Sequence, residues 1–299
     1  MSTNNVPKKF YKKPTETSKV LYSKPVVKPV VESTSLHATR STLHAVPKTS
    51  WGSVSTWYDS HLEKDKDTYH EKVILPNLIR MLGEIKGKHV LDLACGQGYF
   101  SRAMRAQSAT VVGVDISKEL IALAQQKNKD DKHKIDFFAS SADDLFMIKD
   151  KSQDIVVCVL AIQNIEKLND TIRECARVIK PHGKLYLVMN HPAFRIPQAS
   201  DWGFDEENNI QYRRMDQYLS EAKIKIDMTP GEKTFKKYTI SFHRPLQVYV
   251  KALSKNNFMI SRLEEWESHK KSEKGKRQDA ENKARKEIPL FLSIEAVQC

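Results

Sequence analysis

The residues that offer chemistry gather in one short segment, Asp92-Leu-Ala-Cys-Gly-Gln-Gly98. Glycines let a backbone turn tightly and approach a ligand closely, and a helix that follows such a loop presents free N–H groups. A dinucleotide-binding loop would have a third glycine where this chain has Ser101. The carboxylate of Asp92 would repel a pyrophosphate but suits an ammonium group, so the loop favours a different nucleotide.

A second carboxylate, Asp115, follows Gly96 by 19 residues and ends a β-branched run. At the end of a second strand, a carboxylate is placed to hold two ribose hydroxyls. An acid for an amine, glycines for close approach and an acid for a ribose favour an amino-acid-bearing nucleoside over NAD.

These residues sit in a chain whose pattern alternates between short apolar runs and amphipathic segments from residue 89 onward. Such alternation is typical of a doubly wound α/β fold with a mostly parallel sheet. Ligands then bind at the carboxyl ends of the strands, near the topological switch point. The expected strands are His89–Leu93, Thr110–Val114, Ile135–Phe138, Asp154–Leu160, Lys184–Met189, Asn257–Leu263 and Pro289–Val297, and the expected helices include Tyr99–Ala106 and Asp170–Ile179.

The segment Val90–Gly98 resembles the first motif of class I S-adenosylmethionine (SAM)-dependent methyltransferases, and Val111–Asp115 resembles the next. The resemblance covers residues 55–190 well and 240–299 loosely, and it is nearest to the small-molecule, ubiquinone/menaquinone-biosynthesis type. It departs at Ala94, where glycine is usual, and at His182, where the usual turn has glycine. Further matching segments are Ser141–Leu145, Asp154–Asn164 and Ile179–Lys184.

The resemblance implies a Rossmann-like seven-stranded sheet of order 3-2-1-4-5-7-6, its last strand antiparallel, with helices on both faces. It also implies SAM as the cofactor and assigns a role to nine residues. Asp92 would orient the methionine amino group, Ala94, Gly96 and Gly98 would pass close to the methionine moiety, Asp115 would hold the ribose hydroxyls, Ile116 would pack on adenine, Ser141 and Ala142 would recognise the adenine edge, and Leu160 would contact the cofactor through its backbone.

Substrate-side residues are expected in an insertion at about 191–240, which in the family lies over the site. Aromatic rings beside arginines suit a flat substrate with an acidic group, and they would also suit a nucleobase and a phosphate. The candidates for substrate binding are Arg195, Trp202, Tyr212 and Arg213.

Three residues are candidates for catalysis. His191 closely follows a strand at the edge of the site and is the first choice for a general base, with His243 second. Tyr58 resembles the tyrosine of an N-terminal segment that closes over the cofactor in related enzymes. Each has a structural alternative: a histidine that bonds the loop backbone, or an aromatic ring packed on a helix.

Composition narrows the class of protein. The 299 residues are 40% hydrophobic and 29% charged, and no apolar run is long enough to span a membrane. Four scattered cysteines without a Cys-x-x-Cys pair indicate neither a disulfide scaffold nor a zinc site. We therefore expect a cytoplasmic protein without a metal.

The net charge of +12 is concentrated in residues 1–50, which hold nine basic and two acidic side chains. Repeated prolines and the lack of periodicity predict a disordered tail, followed by one methyltransferase domain over 51–299. A flexible basic arm, an arm that contacts nucleic acid and an organelle transit peptide are all compatible with this composition.

The sequence therefore predicts an enzyme that transfers a methyl group from SAM to a small, aromatic or acidic metabolite. After the fourth strand the chain has Leu160-Ala-Ile-Gln-Asn164, without the Pro-Pro-aromatic motif of adenine methyltransferases. Two alternatives remain: an RNA methyltransferase guided by the basic tail and the basic segment 269–287, and a non-catalytic SAM-binding partner subunit. The acceptor atom and the oligomeric state are not fixed by the sequence.

Overall fold

The structure is a computed structural model that describes residues 51–55, 67–129, 135–229 and 236–299. The tail at 1–50 and Tyr58, for which the sequence makes predictions, lie outside the described residues. Residues 51–55 are helical, and the first complete element is a π-helical turn at His70–Ile74 that leads directly into an α-helix.

A seven-stranded sheet forms the centre of the fold, in the order β3-β2-β1-β4-β5-β11-β10. Two separate hairpins, β6–β7 and β8–β9, are inserted after β5. The strands are β1 (His89–Leu93), β2 (Thr110–Asp115), β3 (Asp136–Ala139), β4 (Gln153–Val159), β5 (Ile179–Asn190), β6 (Ser200–Asp205), β7 (Ile210–Met215), β8 (Ala222–Asp227), β9 (Tyr238–His243), β10 (Phe258–Trp266) and β11 (Phe291–Gln298).

The predicted strand order is confirmed, and it fixes where a ligand binds. Strands β1 to β5 pair in parallel, whereas β11 runs antiparallel between β5 and β10. The order reverses between β1 and β4, so the topological switch point lies at their carboxyl ends. The loops that follow Leu93 and Val159 therefore meet at the same edge.

Helices cover both faces of the sheet because successive side chains of a buried strand point in opposite directions. Val90 and Leu91, for example, belong to separate hydrophobic clusters on the two faces. The helices are α1 (Leu75–Leu82), α2 (Tyr99–Ala106), α3 (Lys118–Lys127), α4 (Leu168–Val178), α5 (Leu246–Lys255) and α6 (Gln278–Glu287). In the described part of the chain, no helix is both long and apolar enough to cross a membrane.

Two parts of the architecture differ from the expected elements. Strand β5 begins at Ile179 rather than Lys184, because Ile179 pairs with Gln153 ahead of an irregularity in the register. His182 accommodates this irregularity with a φ of 62°. The insertion contains two antiparallel hairpins that the sequence does not predict. Strands β6, β7 and β8 are exposed or half-exposed on both faces, and the face that β9 buries carries the polar residues Thr239, Ser241 and His243.

A substitution at Gly113 in β2 measures how tightly the sheet packs beside the loop that follows β1. A Cβ at this position would lie 2.5 Å from the Phe137 ring and 3.0 Å from the Cys95 sulfur. We expect Gly113→Ala to lower the free energy of unfolding by about 1–3 kcal/mol, because the buried ring has little room to move. Urea denaturation measures this change.

Gly275 supplies the matched control, because a Cβ there would meet nothing within 4 Å. Gly275→Ala should leave the denaturation midpoint within about 0.5 kcal/mol of the parent protein. Equal effects of the two substitutions would contradict the packing described for β2.

Candidate functional site

The loop after β1 has an unusual backbone that opens space at the switch point. Ala94, Gly96 and Gly98 have φ angles of 58°, 56° and 78°, all in the left-handed region. Glycine adopts this region without a steric penalty, whereas alanine is strained by about 1–2 kcal/mol. Ala94 therefore adopts the same left-handed conformation as a glycine would, and its backbone is strained as a result.

Asp92 is the most deeply buried carboxylate of the site, with 2% of its surface exposed. Ser101, on the first turns of α2, donates a hydrogen bond to its Oδ2 atom. Burial, reinforced by the nearby charge of Asp115, raises the pKa of Asp92 to about 7, although the Ser101 bond opposes this. No ion pair satisfies Asp92 among the residues that the structure describes.

Asp115 ends β2 and closes the loop from the other side. Its Oδ2 accepts a hydrogen bond from the Gly96 N–H at 2.9 Å, and its Oδ1 accepts one from the Ser117 N–H at 2.8 Å. Burial raises its pKa, and the two N–H groups partly offset that effect. Each carboxylate oxygen keeps a lone pair for a further donor.

A cavity of about 400 Å³ extends from Asp115 along the strand ends. A cavity of about 90 Å³ shares Ala94 with it, and a third of about 30 Å³ reaches Asp92. Those of the nine predicted cofactor residues that line at least one of the three are Asp92, Ala94, Gly96, Asp115, Ile116, Ser141, Ala142 and Leu160. Gly98 stands apart as the residue that precedes α2.

The far wall of the cavity of about 400 Å³ carries an ion pair. Asp143 accepts a hydrogen bond from the Lys167 ammonium at 2.7 Å and another from the Ser141 hydroxyl. Burial acts to raise the pKa of Asp143, but the bonds from Lys167 and Ser141 outweigh it and the pKa is lowered. This wall is therefore polar and charged, in contrast to the apolar contacts of Ile116.

Comparison with known proteins supports one family. Residues 91–187 match the methyltransferase-domain family. A ubiquinone biosynthesis O-methyltransferase of Coxiella burnetii is 37% identical over 103 residues, which are 34% of this chain and 43% of that protein. A SAM-dependent methyltransferase structure from Mesorhizobium loti superposes with a TM-score of 0.60 at 27% identity, over 75% of this chain and 96% of that one.

Residues 91–187 of this chain are a methyltransferase domain, in a fold shared with SAM-dependent methyltransferases. A second ubiquinone biosynthesis O-methyltransferase, from Pseudomonas syringae, is 29% identical over 44% of this chain and 56% of its own length. The chain spans about half the length of the curated relatives it matches.

The described residues of this methyltransferase fit its cofactor. Asp92 is buried and forms no ion pair with the described residues, although the charge of Arg102 acts on it from a distance, so its carboxylate suits an ammonium group. The two oxygens of Asp115 have lone pairs left for hydroxyl donors. Ala94 and Gly96 line the cavities beside both carboxylates.

His191 lies at the end of β5, as expected, and both of its ring nitrogens are engaged. Nε2 donates to Glu265 Oε1 at 2.6 Å, while Nδ1 accepts the N–H groups of Ala193 and Phe194 at 3.2 and 3.4 Å. Burial lowers its pKa despite the bond to Glu265. Catalysis by His191 stays a prediction, and these bonds favour its structural alternative.

His243 has a similar environment. Its Nε2 donates to the backbone carbonyl of Tyr218 at 2.9 Å, since a carbonyl oxygen only accepts, and 5% of the residue is exposed. A base at this position would have to act through Nδ1. The catalytic role of His243 is likewise untested.

Three of the predicted substrate-binding residues lie close together: Arg195 in the loop after β5, Trp202 on β6 and Arg213 on β7. The guanidinium carbons of Arg195 and Arg213 lie 5.8 and 5.1 Å from the centre of the Trp202 ring. Arg213 also donates to Phe194 O and Ser200 Oγ, so its polar groups are used within the loop. Tyr212, on β7, is 47% exposed.

Several cavity residues were not singled out by the sequence. The second hairpin contributes Lys223, Ile240 and Phe242, and the helix at 51–55 contributes Trp51. Periodicity carries no signal for the hairpin residues because they belong to short strands outside the main sheet. Trp51 lies at the predicted start of the folded domain, where the composition changes from the basic, proline-rich tail. That change is the one feature of the sequence that points to Trp51.

The buried Asp92 predicts an unusual dependence of stability on pH. Its folded-state pKa of about 7 lies above the ordinary value of 3.8. Folding therefore favours the protonated form, and this group's contribution to stability falls as pH rises from about 4 to 7. At pH 8 we expect Asp92→Asn to be more stable than the parent by about 2–4 kcal/mol, with near equality at pH 4.

Asp143→Asn is the matched control, because the pKa of Asp143 is shifted in the opposite direction from that of Asp92. The pKa of Asp143 is lowered, so its ionised form stabilises the fold above its ordinary pKa, and that stability disappears as pH falls. The Asn variant should lose about 1 kcal/mol at pH 8. Guanidinium denaturation from pH 4 to 8 measures both, and a stability difference for Asp92→Asn that stays constant with pH would contradict the account.

Proposed function

We propose that this chain transfers the methyl group of SAM to a small, aromatic or acidic metabolite. The observation that carries the proposal is the cavity of about 400 Å³, in which strand-end residues such as Asp115 face Lys223 and Phe242 of the second hairpin. A concave site with apolar walls and a few polar groups is typical of small-ligand binding. The curated relatives named ubiquinone biosynthesis O-methyltransferases agree with a small acceptor.

The cofactor would be held by the residues predicted from the sequence. Asp92 would accept hydrogen bonds from its amino group, and Asp115 from its ribose hydroxyls. We propose that Ile116, Ser141 and Ala142 surround the adenine. The remaining proposed contacts come from the backbone at Ala94, Gly96, Gly98 and Leu160.

Catalysis would depend chiefly on alignment. When bound, SAM supplies a methyl group on a positively charged sulfur, which is a strong electrophile. Holding the acceptor in line with that group can contribute about 7–11 kcal/mol to lowering the barrier. Because His191 has both nitrogens engaged, we propose that it fixes the loop at 191–195 rather than acting as the base.

The insertion at 191–240 would cap the substrate, with Arg195 from the loop after β5 and with Trp202, Tyr212 and Arg213 from the first hairpin. A cytoplasmic location is part of the proposal, since the three buried cysteines (Cys95, Cys158 and Cys175) are free thiols and suit a reducing compartment.

The direct test is transfer of radiolabelled methyl from SAM into fractionated cell extract. We expect label in the low-molecular-weight or lipid fraction. Asp115→Ala should weaken SAM binding at least tenfold, because two charge-assisted hydrogen bonds are lost. Calorimetric titration with SAM measures that loss.

Asp136→Ala, at an exposed position of β3, is the matched control and should bind SAM normally. Asp115→Asn, which keeps an acceptor for one backbone N–H, separates ligand binding from collapse of the loop. Label in RNA would refute the small-molecule proposal and favour the tail-guided alternative. SAM binding without any labelled fraction would favour a partner subunit.

A further inference from the structure

A small polar cavity lies apart from the proposed cofactor contacts, between the ends of β4, β5 and β9. Gln163, Asn190, Arg195, His243 and Arg244 line it. Its volume is about 30 Å³, which is room for about two water-sized groups. Its lining is strongly basic.

Arg244 is 6% exposed, yet one of its nitrogens is unused. Nη2 donates to the carbonyls of Ile165 and Glu166 at 2.8 and 2.7 Å, and this holds the side chain in place. Nη1 is buried without a hydrogen-bond partner among the described residues. An unsatisfied buried donor on a charged group is costly, so it marks a place where an acceptor belongs.

Arg195 also has a buried nitrogen that donates no hydrogen bond to a described residue. Its Nε is buried and without a hydrogen-bond partner in the described ranges, and no carboxylate there pairs with it. Burial, together with the charge of Arg213, lowers its pKa to about 10. The contact with the Trp202 ring orients the guanidinium but satisfies none of its N–H groups.

Other groups around the cavity refine the chemistry. The exposed carboxylate of Glu221 lies 4.0 Å from Arg244 Nε. Gln163 donates from Nε2 to Leu160 O at 2.9 Å, and no described residue donates to its buried Oε1. The cavity thus offers two cationic donors and one neutral acceptor, and Tyr249, which also lines it, interacts with Arg244.

We propose that this cavity binds the carboxylate of the methyl acceptor through Arg195 and Arg244, with Gln163 accepting from a hydroxyl or N–H beside it. The inference rests on the proposed function and narrows its substrate to a carboxylic acid. The volume suits the two oxygens of a carboxylate better than the four of a phosphate.

The position of the cavity agrees with that role. Phe242 lines both this cavity and the one of about 400 Å³. Gln163 donates a hydrogen bond to Leu160 O. Leu160 in turn lines the cavity of about 90 Å³, which Asp115 also lines. A molecule anchored at Arg195 and Arg244 therefore extends toward the proposed cofactor groove.

The test uses the full chain with saturating SAM and 2-hydroxybenzoate as the probe, with 2-hydroxybenzamide as its neutral counterpart. We expect the acid to bind at least tenfold more tightly than the amide in calorimetric titrations. Arg195→Gln should weaken the acid at least tenfold and leave the amide unchanged. Arg214→Gln removes the same charge from an exposed neighbour on β7 and should change neither affinity by more than twofold.

Arg244→Gln serves as the second variant, read together with its melting temperature because Arg244 also supports the loop after β4. A folded Arg244→Gln protein that binds the acid normally would overturn the inference, as would equal binding of acid and amide. Displacement of the acid by equimolar inorganic phosphate would show a phosphate site instead. SAM binding in the absence of the probe is measured first, so failure of the proposed function is distinguished from failure of the carboxylate site.

Discussion

The burial of two like-charged carboxylates at the ends of neighbouring strands is the constraint on which the site depends. Asp92 and Asp115 are 2% and 7% exposed. Neither would remain ionised there without donors. The left-handed loop at 94–98 turns the Gly96 N–H toward Asp115, and α2 supplies Ser101 to Asp92. Unmet acceptor capacity at both carboxylates is what suits the site to a cofactor rich in donors.

Much of the architecture could be predicted because parallel strands buried on both faces leave a clear mark in sequence. The run Ile155–Val159 in β4 is entirely apolar, as expected of a strand buried on both faces. The glycines after β1 and the acid at the end of β2 can be read from the sequence. The resemblance at Val90–Gly98 then supplied the order of the sheet. Strand bounds agree within a few residues, with the largest difference at the start of β5.

The insertion resisted prediction for a physical reason. The strands β7 and β8 are exposed or half-exposed on both faces, so they lack the alternation of apolar and polar residues that marks a half-buried strand. Strand β9 does bury one face, but the buried residues Thr239, Ser241 and His243 are polar. The cavity contacts of Lys223 and Phe242 depend on hairpin pairing that only the structure describes. Similarly, His191 looks like a free base in sequence, and its bond to Glu265 joins positions 74 residues apart.

The measurement that tests the central claim most directly is the number of protons released when SAM binds, obtained by calorimetry at pH 6 in buffers of different ionisation enthalpy. Asp92, with a pKa of about 7, is mostly protonated in the free protein at this pH and must ionise to pair with an ammonium group. The account predicts release of nearly one proton per SAM in the parent protein and almost none in Asp92→Asn. Equal proton counts in the two proteins would contradict it.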